Sequence, residues 1–265
     1  MTVKITAHFA FETDTATDLL LQFEAAQIPE QTLNNVETTM TQSEHCARVA
    51  AEDDIGERVW IRSEGRFDVN YSVEVEVNRM VPDIAGLDQL APHDMPGEAV
   101  HYMLDSRYCP ADRFQSFVEA EFGGTSGGAR VIAIRQWIAD NFTYVPGSSN
   151  ANTTGEDSFI ERRGICRDYA HVLIMLARAS TIPARYVSCF APRVTPQDFH
   201  AVAEVFLADP TVDGGGAWHI VDATDMADPA QTVKIGVGRD AADVSFLTSF
   251  GPSNFLQKTV SVEVC

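Results

Sequence analysis

Residues 163–180, with the sequence RGICRDYAHVLIMLARAS, decide the fold of this chain. Their apolar side chains predict a helix that begins at Cys166, ends near Ser180 and is buried over most of its surface. Cys166 lies in the first turn of this helix, two residues after Gly164. A helix buried on nearly every side is expected at the centre of a domain, so the neighbouring elements should pack around it.

Helices are predicted before this segment and strands after it. The predicted helices cover residues 111–122 and 129–142, and the predicted strands cover residues 182–190, 199–207 and 217–223, with a turn at 213–216. Helices followed by consecutive strands are typical of an α+β domain in which an antiparallel sheet packs on the central helix.

The first hundred residues predict a different architecture. Apolar and polar residues alternate strictly from 67 to 78, which is the pattern of a half-buried antiparallel strand. Further strands are expected at residues 3–11, 18–24 and 57–63, and together these elements predict a small antiparallel β-sandwich-like domain. The helical pattern begins after a Pro- and Gly-rich stretch, so we predict an N-terminal β domain over residues 1–105 and a second domain over 106–265.

Composition excludes some classes of partner. The 265 residues include 19 Lys and Arg against 38 Asp and Glu, a formal net charge of −19. Nucleic acid and anionic membranes both select a basic protein surface, so neither is expected as a partner. The start has no basic segment followed by an apolar core, and the longest apolar run, residues 172–177, is too short to span a bilayer. A cytoplasmic location is therefore expected, and the oligomeric state is left open.

Three residues suggest nucleophilic chemistry. Cys166 at a helix N-terminus faces unpaired backbone N–H groups and the positive end of the helix dipole, a setting that favours a thiolate. Gly164 should let the chain turn sharply and leave room for a substrate. His200 lies in an apolar strand and Asp222 closes the next one, so both need partners. If Asp222 accepts the His200 Nδ1–H, Nε2 is oriented toward the sulfur, as in a triad of nucleophile, base and orienting group.

Four sequence words around these residues resemble the transglutaminase-like superfamily. They are RGICRDYA at 163–170, IPARYV at 182–187, FHA at 199–201 and WHIVDAT at 218–224. Residues 106–109 (SRYC) and 238–244 (GRDAADV) resemble segments that flank the catalytic domain in bacterial members. The resemblance covers residues 106 to about 251 well and the N-terminal β domain more loosely. One departure is Val202, where the family usually has an aromatic residue, so the rim of the site is expected to differ.

The resemblance implies a papain-like α+β core without a metal or organic cofactor. It makes Cys166 the nucleophile, His200 the general base and acid, and Asp222 the orienting group. The implied reaction is acyl transfer on a peptide or amide through a thioester, with hydrolysis favoured. The implied partner is a peptide or protein substrate, and the acidic surface favours basic or neutral peptides.

Several alternatives remain at this stage. Amine transfer to protein glutamine proceeds through the same acyl-enzyme, and a non-catalytic peptide-binding module could keep the same fold. A metal site built from Cys166, His200, His219 and Asp222 is disfavoured, because His219 should point to the other strand face from Asp222. The backbone N–H of Cys166 is expected in the oxyanion hole, and Tyr144 is a candidate for the second donor, with packing as its alternative role.

The remaining polar residues near these motifs are given structural roles. Asp168 is expected to complement the helix dipole, and His171 and Cys189 are expected in the core. Asp240 and Asp243 either brace the site or are solvated.

Overall fold

The structure is a computed structural model that describes residues 1–212 and 215–265, so the predicted turn at 213–216 falls partly outside the described residues. The helices are α1 (Gly97–Val100), α2 (Gln115–Phe122), α3 (Gly127–Asn141), α4 (Gly155–Glu161) and α5 (Cys166–Ala179). The strands are β1 (Thr2–Leu21), β2 (Gln31–Met40), β3 (His45–Ala50), β4 (Glu57–Val77), β5 (Thr143–Tyr144), β6 (Arg163–Gly164), β7 (Ala184–Phe190), β8 (His200–Ala208), β9 (Gly216–Val221), β10 (Val233–Gly238), β11 (Leu247–Ser249) and β12 (Asn254–Val264). The α+β fold class predicted from the sequence is confirmed, including the N-terminal strand region.

The N-terminal strands form one six-stranded sheet. The antiparallel strands β1 and β4 pair over most of their length, with an irregularity between Thr13 and Thr17. Each therefore joins two segments that the sequence predicts as separate strands. β2 and β3 extend the sheet along successive halves of β4. These two strands are mostly exposed and show no regular alternation, so the sequence pattern did not reveal them.

The end of the chain belongs to the same sheet. β12 pairs with the first half of β1, in a register that sets Val264 opposite Val3, and β11 pairs with the end of β1. The predicted division counts residues 247–249 and 254–264 with the second domain, whereas the structure places them in the N-terminal sheet. The boundary at residue 105 itself stays a prediction.

The second sheet is antiparallel in the order β10-β7-β8-β9. One face packs on α5, and the residues of β8 in this core are Ala201, Ala203, Val205 and Leu207. Of the 14 residues of α5, 12 are buried, as the apolar sequence predicts. Full burial of an aliphatic side chain contributes about 1.5–3 kcal/mol, so α5 organises the packing of this region. α4 and β10 were not predicted.

A buried ionic network joins the second sheet to the N-terminal sheet. Glu204 on β8 is completely buried and pairs with Arg185 at 2.8 Å and with Lys234. Arg185 also reaches Asp53 at 2.8 Å, and Lys234 reaches Glu30 at 2.7 Å. Buried charges are tolerated only when they are paired, so this network holds the two sheets in one arrangement. None of the helices in the described part of the chain combines the length and apolar character required to cross a membrane.

Candidate active site

The geometry before α5 places the Cys166 sulfur at the edge of a cleft. β6 pairs in parallel with β5, so Gly164 lies opposite Tyr144, and the Val145 N–H donates to the Gly164 carbonyl at 2.9 Å. Ile165 has extended backbone angles, and the helix begins at Cys166. Cys166 is half-buried, whereas Cys109 and Cys189 are completely buried. Cys166 is therefore the cysteine whose sulfur is accessible at the N-terminus of a helix.

Asp168 explains why residue 164 is glycine. Its carboxylate is fully buried and accepts the Ile165 N–H at 2.8 Å, which satisfies a donor at the start of α5. A Cβ on Gly164 would lie 2.5 Å from the Asp168 Cβ, closer than any real contact. The space beside Gly164 is therefore filled by Asp168. The expectation that it admits a substrate was wrong, while the structural role predicted for Asp168 holds.

His200 and Asp222 meet beyond the ends of two neighbouring strands. His200 begins β8, Asp222 follows β9, and the His200 Nε2 lies 3.0 Å from the Asp222 Oδ2. The His200 Nδ1 is buried and makes no hydrogen bond of standard geometry. Nε2 therefore faces the Asp222 carboxylate, and Nδ1 is the ring nitrogen that remains for the Cys166 sulfur. The prediction from the sequence was wrong on this point, because it placed Nδ1 at Asp222 and Nε2 at the sulfur. The rotation of the imidazole decides this assignment, and strand pattern carries no information about it.

Backbone and hydroxyl donors hold the Asp222 carboxylate in place. Its oxygens accept the Thr224 N–H and hydroxyl at 2.8 Å, the Met226 N–H at 3.0 Å and the Ala227 N–H at 2.7 Å. Thr224 was not singled out from the sequence, although Asp-x-Thr is a recognisable side-chain-to-backbone turn. The carboxylate cannot rotate away from His200 without giving up these bonds.

The electrostatics of the pair favour a charged imidazole. Burial of the His200 ring opposes protonation, but the hydrogen bond to Asp222 and the neighbouring Cys166 outweigh it and raise the pKa of His200 to about 10. Burial likewise opposes ionisation of Asp222, yet His200 and the Thr224 donors lower its pKa below the usual value. At neutral pH the pair is therefore an imidazolium held by a carboxylate.

Tyr144 lies beside Cys166. Burial and then the adjacent Cys166 raise the pKa of Tyr144, so its hydroxyl stays protonated. The Cys166 backbone N–H and thiol both lie within hydrogen-bonding reach of this hydroxyl. The ring packs 5.9 Å from that of Tyr169, so Tyr144 both packs and presents a donor at the sulfur.

A cleft of about 690 Å³ contains these groups. This volume is in the range of ligand sites in proteins. Cys166, His200 and Tyr144 line it from the second region, and the end of the chain contributes the segment 246–249 and Lys258. The cleft therefore lies between the second sheet and the N-terminal sheet. Val202 is buried in the core beneath the sheet and does not line the cleft, so the expectation of an altered rim at this residue was wrong.

The other predicted residues lie around the cleft. His171 is fully buried between Tyr108 and Tyr186 and accepts the Ala241 N–H at 3.1 Å. Asp240 is buried and accepts the Tyr108 N–H at 2.8 Å, so it braces the segment before α2.

In the described part of the chain, the disfavoured metal alternative of Cys166, His200, His219 and Asp222 does not form a group whose possible ligand atoms all lie within 4.8 Å of one another. Within residues 1–212 and 215–265, the group whose possible ligand atoms all lie within 4.8 Å of one another is Glu52, Asp53 and His101, far along the chain from Cys166. Asp53 in this group is already engaged by Arg185 and Tyr102.

Comparisons with known proteins agree with this geometry. Residues 117–223 match the family model of the transglutaminase-like superfamily. The crystal structure of a putative cysteine protease from Cytophaga hutchinsonii superposes with a TM-score of 0.89 at 29% identity, over 99% of this chain and 90% of that chain. An uncharacterized protein of Mycobacterium leprae is 30% identical over 125 residues, which are 43% of this chain and 42% of that protein. An uncharacterized protein of Mycobacterium bovis is 30% identical over 137 residues, 48% of this chain and 43% of that protein.

The match thus covers less than half the length of these two mycobacterial relatives, whereas the likeness to the Cytophaga protein includes both sheets. The matched region contains α3, α5, β8 and β9, and it includes Cys166, His200 and Asp222. Residues 117–223 therefore form a transglutaminase-like domain.

Proposed function

We propose that the protein is a cysteine-dependent acyltransferase that acts on a peptide or amide through a thioester, with water as the usual acceptor. The observation that carries the proposal is the convergence of the half-buried Cys166 with a His200–Asp222 pair in one cleft. The name of the Cytophaga hutchinsonii relative supports peptide hydrolysis in particular. Acting as a triad, Cys166 is the nucleophile, His200 the acid and base, and Asp222 the orienting group.

In the first half-reaction the Cys166 thiolate attacks the carbonyl carbon of the scissile amide. The S–C bond forms, and the C–N bond breaks as the His200 imidazolium protonates the leaving amine. A pKa of about 10 keeps this proton on His200 until the amine leaves. In the second half-reaction the neutral His200 accepts a proton from water, the new hydroxide attacks the thioester, and the Cys166 thiolate leaves.

The negative charge that develops on the carbonyl oxygen needs hydrogen-bond donors. The Cys166 backbone N–H at the start of α5 supplies one, and one such donor contributes about 3 kcal/mol in measured cases. The Tyr144 hydroxyl lies beside this N–H and is protonated at neutral pH, so we assign it as the second donor.

A variant of the nucleophile tests the proposal. Cys166→Ala should abolish turnover of a fluorescent peptide library and leave the thermal melt nearly unchanged, because the thiol is not part of the packed core. Cys46→Ala is the matched control, since Cys46 is exposed on the N-terminal sheet. Activity retained by Cys166→Ala would refute the proposal.

Amine transfer is the second candidate, since an amine can resolve the same thioester. Mass spectrometry of a glutamine peptide incubated with a primary amine separates the two reactions. A product gaining the amine with loss of ammonia indicates transfer, and a cleaved peptide indicates hydrolysis. A non-catalytic peptide-binding module would give neither product, and it would label with iodoacetamide no faster than an ordinary thiol.

We also propose a cytoplasmic location, because all five cysteines are free thiols, as is usual in a reducing compartment. Cell fractionation with an antibody to the protein tests this proposal.

A further inference from the structure

The segment SRYC at residues 106–109 contains one residue that the catalytic proposal does not use. The Ser106 hydroxyl accepts a hydrogen bond from Arg178 at 3.0 Å, the Tyr108 N–H donates to Asp240 at 2.8 Å, and Cys109 is completely buried. These three residues anchor the segment to the catalytic region. Arg107, between them, is exposed and lines the cleft that contains Cys166.

The Arg107 guanidinium rests on a fixed aromatic ring. Its central carbon lies 5.0 Å from the centroid of the Tyr108 ring. The Tyr108 hydroxyl donates to the Ala151 carbonyl at 2.6 Å, and the ring stacks on His171 at 5.2 Å. Because the ring is held at both ends, it restricts the guanidinium to a small region at the mouth of the cleft.

Arg167 lies on the same ring. Its guanidinium carbon is 5.9 Å from the Tyr108 centroid, and the residue directly follows Cys166. The Arg167 guanidinium donates to the Asp168 carboxylate at 3.0 Å, which balances its charge, and to the Asn150 carbonyl at 2.7 Å. Arg107, by contrast, forms no ion pair and no hydrogen bond with any residue that the structure describes.

The charge of the cleft differs from that of the whole chain. Besides His200, whose charge is balanced by Asp222, the charged lining residues are Arg107, Arg167, Lys258 and Asp198, and the last two pair with each other at 2.5 Å. A chain with a net charge of −19 therefore presents a cationic wall beside its nucleophile. The expectation of basic or neutral substrates, drawn from the overall charge, does not describe this surface.

We propose that Arg107, supported by Arg167, binds a carboxylate of the substrate, so that the protein acts on peptides with an acidic group near the scissile amide. Guanidinium binds carboxylate with two parallel hydrogen bonds, and Arg107 has its donors free for this geometry. The inference rests on the proposed function, since it places the carboxylate beside an amide attacked by Cys166. The carboxylate is either an Asp or Glu side chain or the C-terminus of the peptide.

A pair of alkylating reagents tests the subsite without a known substrate. Iodoacetate and iodoacetamide react with the same thiol by displacement of iodide, and only iodoacetate carries a carboxylate. In Arg107→Gln, the iodoacetate rate at Cys166 should fall about 3-fold relative to the iodoacetamide rate, as expected for one nearby charge. Arg66→Gln is the matched control, because it removes the same charge from an exposed pair on the N-terminal sheet.

An unchanged ratio of the two rates in Arg107→Gln would overturn the subsite. This result is separate from a failure of the proposed function, which would show as slow labelling of Cys166 by both reagents in the unmutated protein.

Binding to the Cys166→Ala protein identifies the source of the carboxylate. The probes are three degenerate octapeptide pools that otherwise lack acidic residues. One has a central Glu and an amidated end, one a central Gln and an amidated end, and one a central Gln and a free C-terminus. We expect about 10-fold tighter binding of one acidic pool than of the neutral pool, lost when Arg107→Gln is added. Equal affinity for all three pools would contradict the proposal.

Discussion

Replacing Asp222 by Asn tests the central electrostatic argument. The Asp222 carboxylate is almost completely buried and lies 3.0 Å from the His200 Nε2. A hydrogen bond to a charged group contributes about 1.5–3 kcal/mol, and one pKa unit corresponds to about 1.4 kcal/mol. Removing the negative charge should therefore lower the pKa of His200 by about one to two units from its value of about 10.

The assay is the titration of the His200 imidazole, followed by NMR of histidine-labelled protein between pH 6 and 11, with the signal assigned by its loss in His200→Gln. We expect the titration midpoint to fall from about 10 to between about 8 and 9 in Asp222→Asn. The Thr224 N–H bonds to one oxygen of Asp222, and the Met226 and Ala227 N–H groups bond to the other, so the single Asn oxygen keeps only one of these two sets of bonds. A thermal melt therefore accompanies the assay, and the comparison is made below the melting temperature of the variant. Asp225→Asn is the control, since Asp225 is exposed and pairs with Arg135. An unchanged His200 titration midpoint in folded Asp222→Asn would refute the reasoning.

Three further predictions follow from named contacts. The pKa of His200 is raised from 6.5 to about 10, so its contribution to the free energy of unfolding should be complete below pH 6.5 and lost as the pH rises through 10. Urea unfolding at pH 6, 8 and 10 measures this loss. The same pH dependence in a His200→Gln variant would contradict the prediction. Gly164→Ala should lower the free energy of unfolding by about 1–3 kcal/mol, because the new Cβ meets Asp168. Gly124→Ala is the control, since open space surrounds Gly124 and its free energy of unfolding should not fall in this way. Equal urea midpoints for the two variants would show that contact with Asp168 is not the reason for the glycine at 164. Tyr144→Phe should reduce kcat about 10²-fold or more with little change in KM, as for other oxyanion donors. Tyr169→Phe is the control, because the rings of Tyr169 and Tyr144 pack together. A normal kcat in Tyr144→Phe would show that Tyr144 has only a packing role.

Local sequence patterns predicted the helices and strands whose apolar side chains pack into a hydrophobic core. The strict alternation at residues 67–78 and the apolar run after Cys166 are such patterns, and both elements formed where expected. β2 and β3 escaped prediction because they lie mostly exposed on the sheet, so no hydrophobic period marks them. The sequence also did not predict that two strand segments join to form each of β1 and β4. A β-bulge interrupts the alternation of apolar and polar residues there without ending the hydrogen bonding between the strands.

The sequence by itself determined the identities and chain order of Cys166, His200 and Asp222, because each lies in a short word whose residue types reflect local requirements. The neighbours that mark these words in the sequence are Gly164 before Cys166, Ala201 after His200 and Thr224 after Asp222. The tertiary structure alone decided which imidazole nitrogen meets Asp222, that Asp168 fills the space beside Gly164, and that Arg107 and Arg167 share the ring of Tyr108. It also decided that the last strand pairs with the first. The physical reason is that side-chain rotation and strand register depend on packing between residues far apart in the chain, and a local period carries no record of these distant partners.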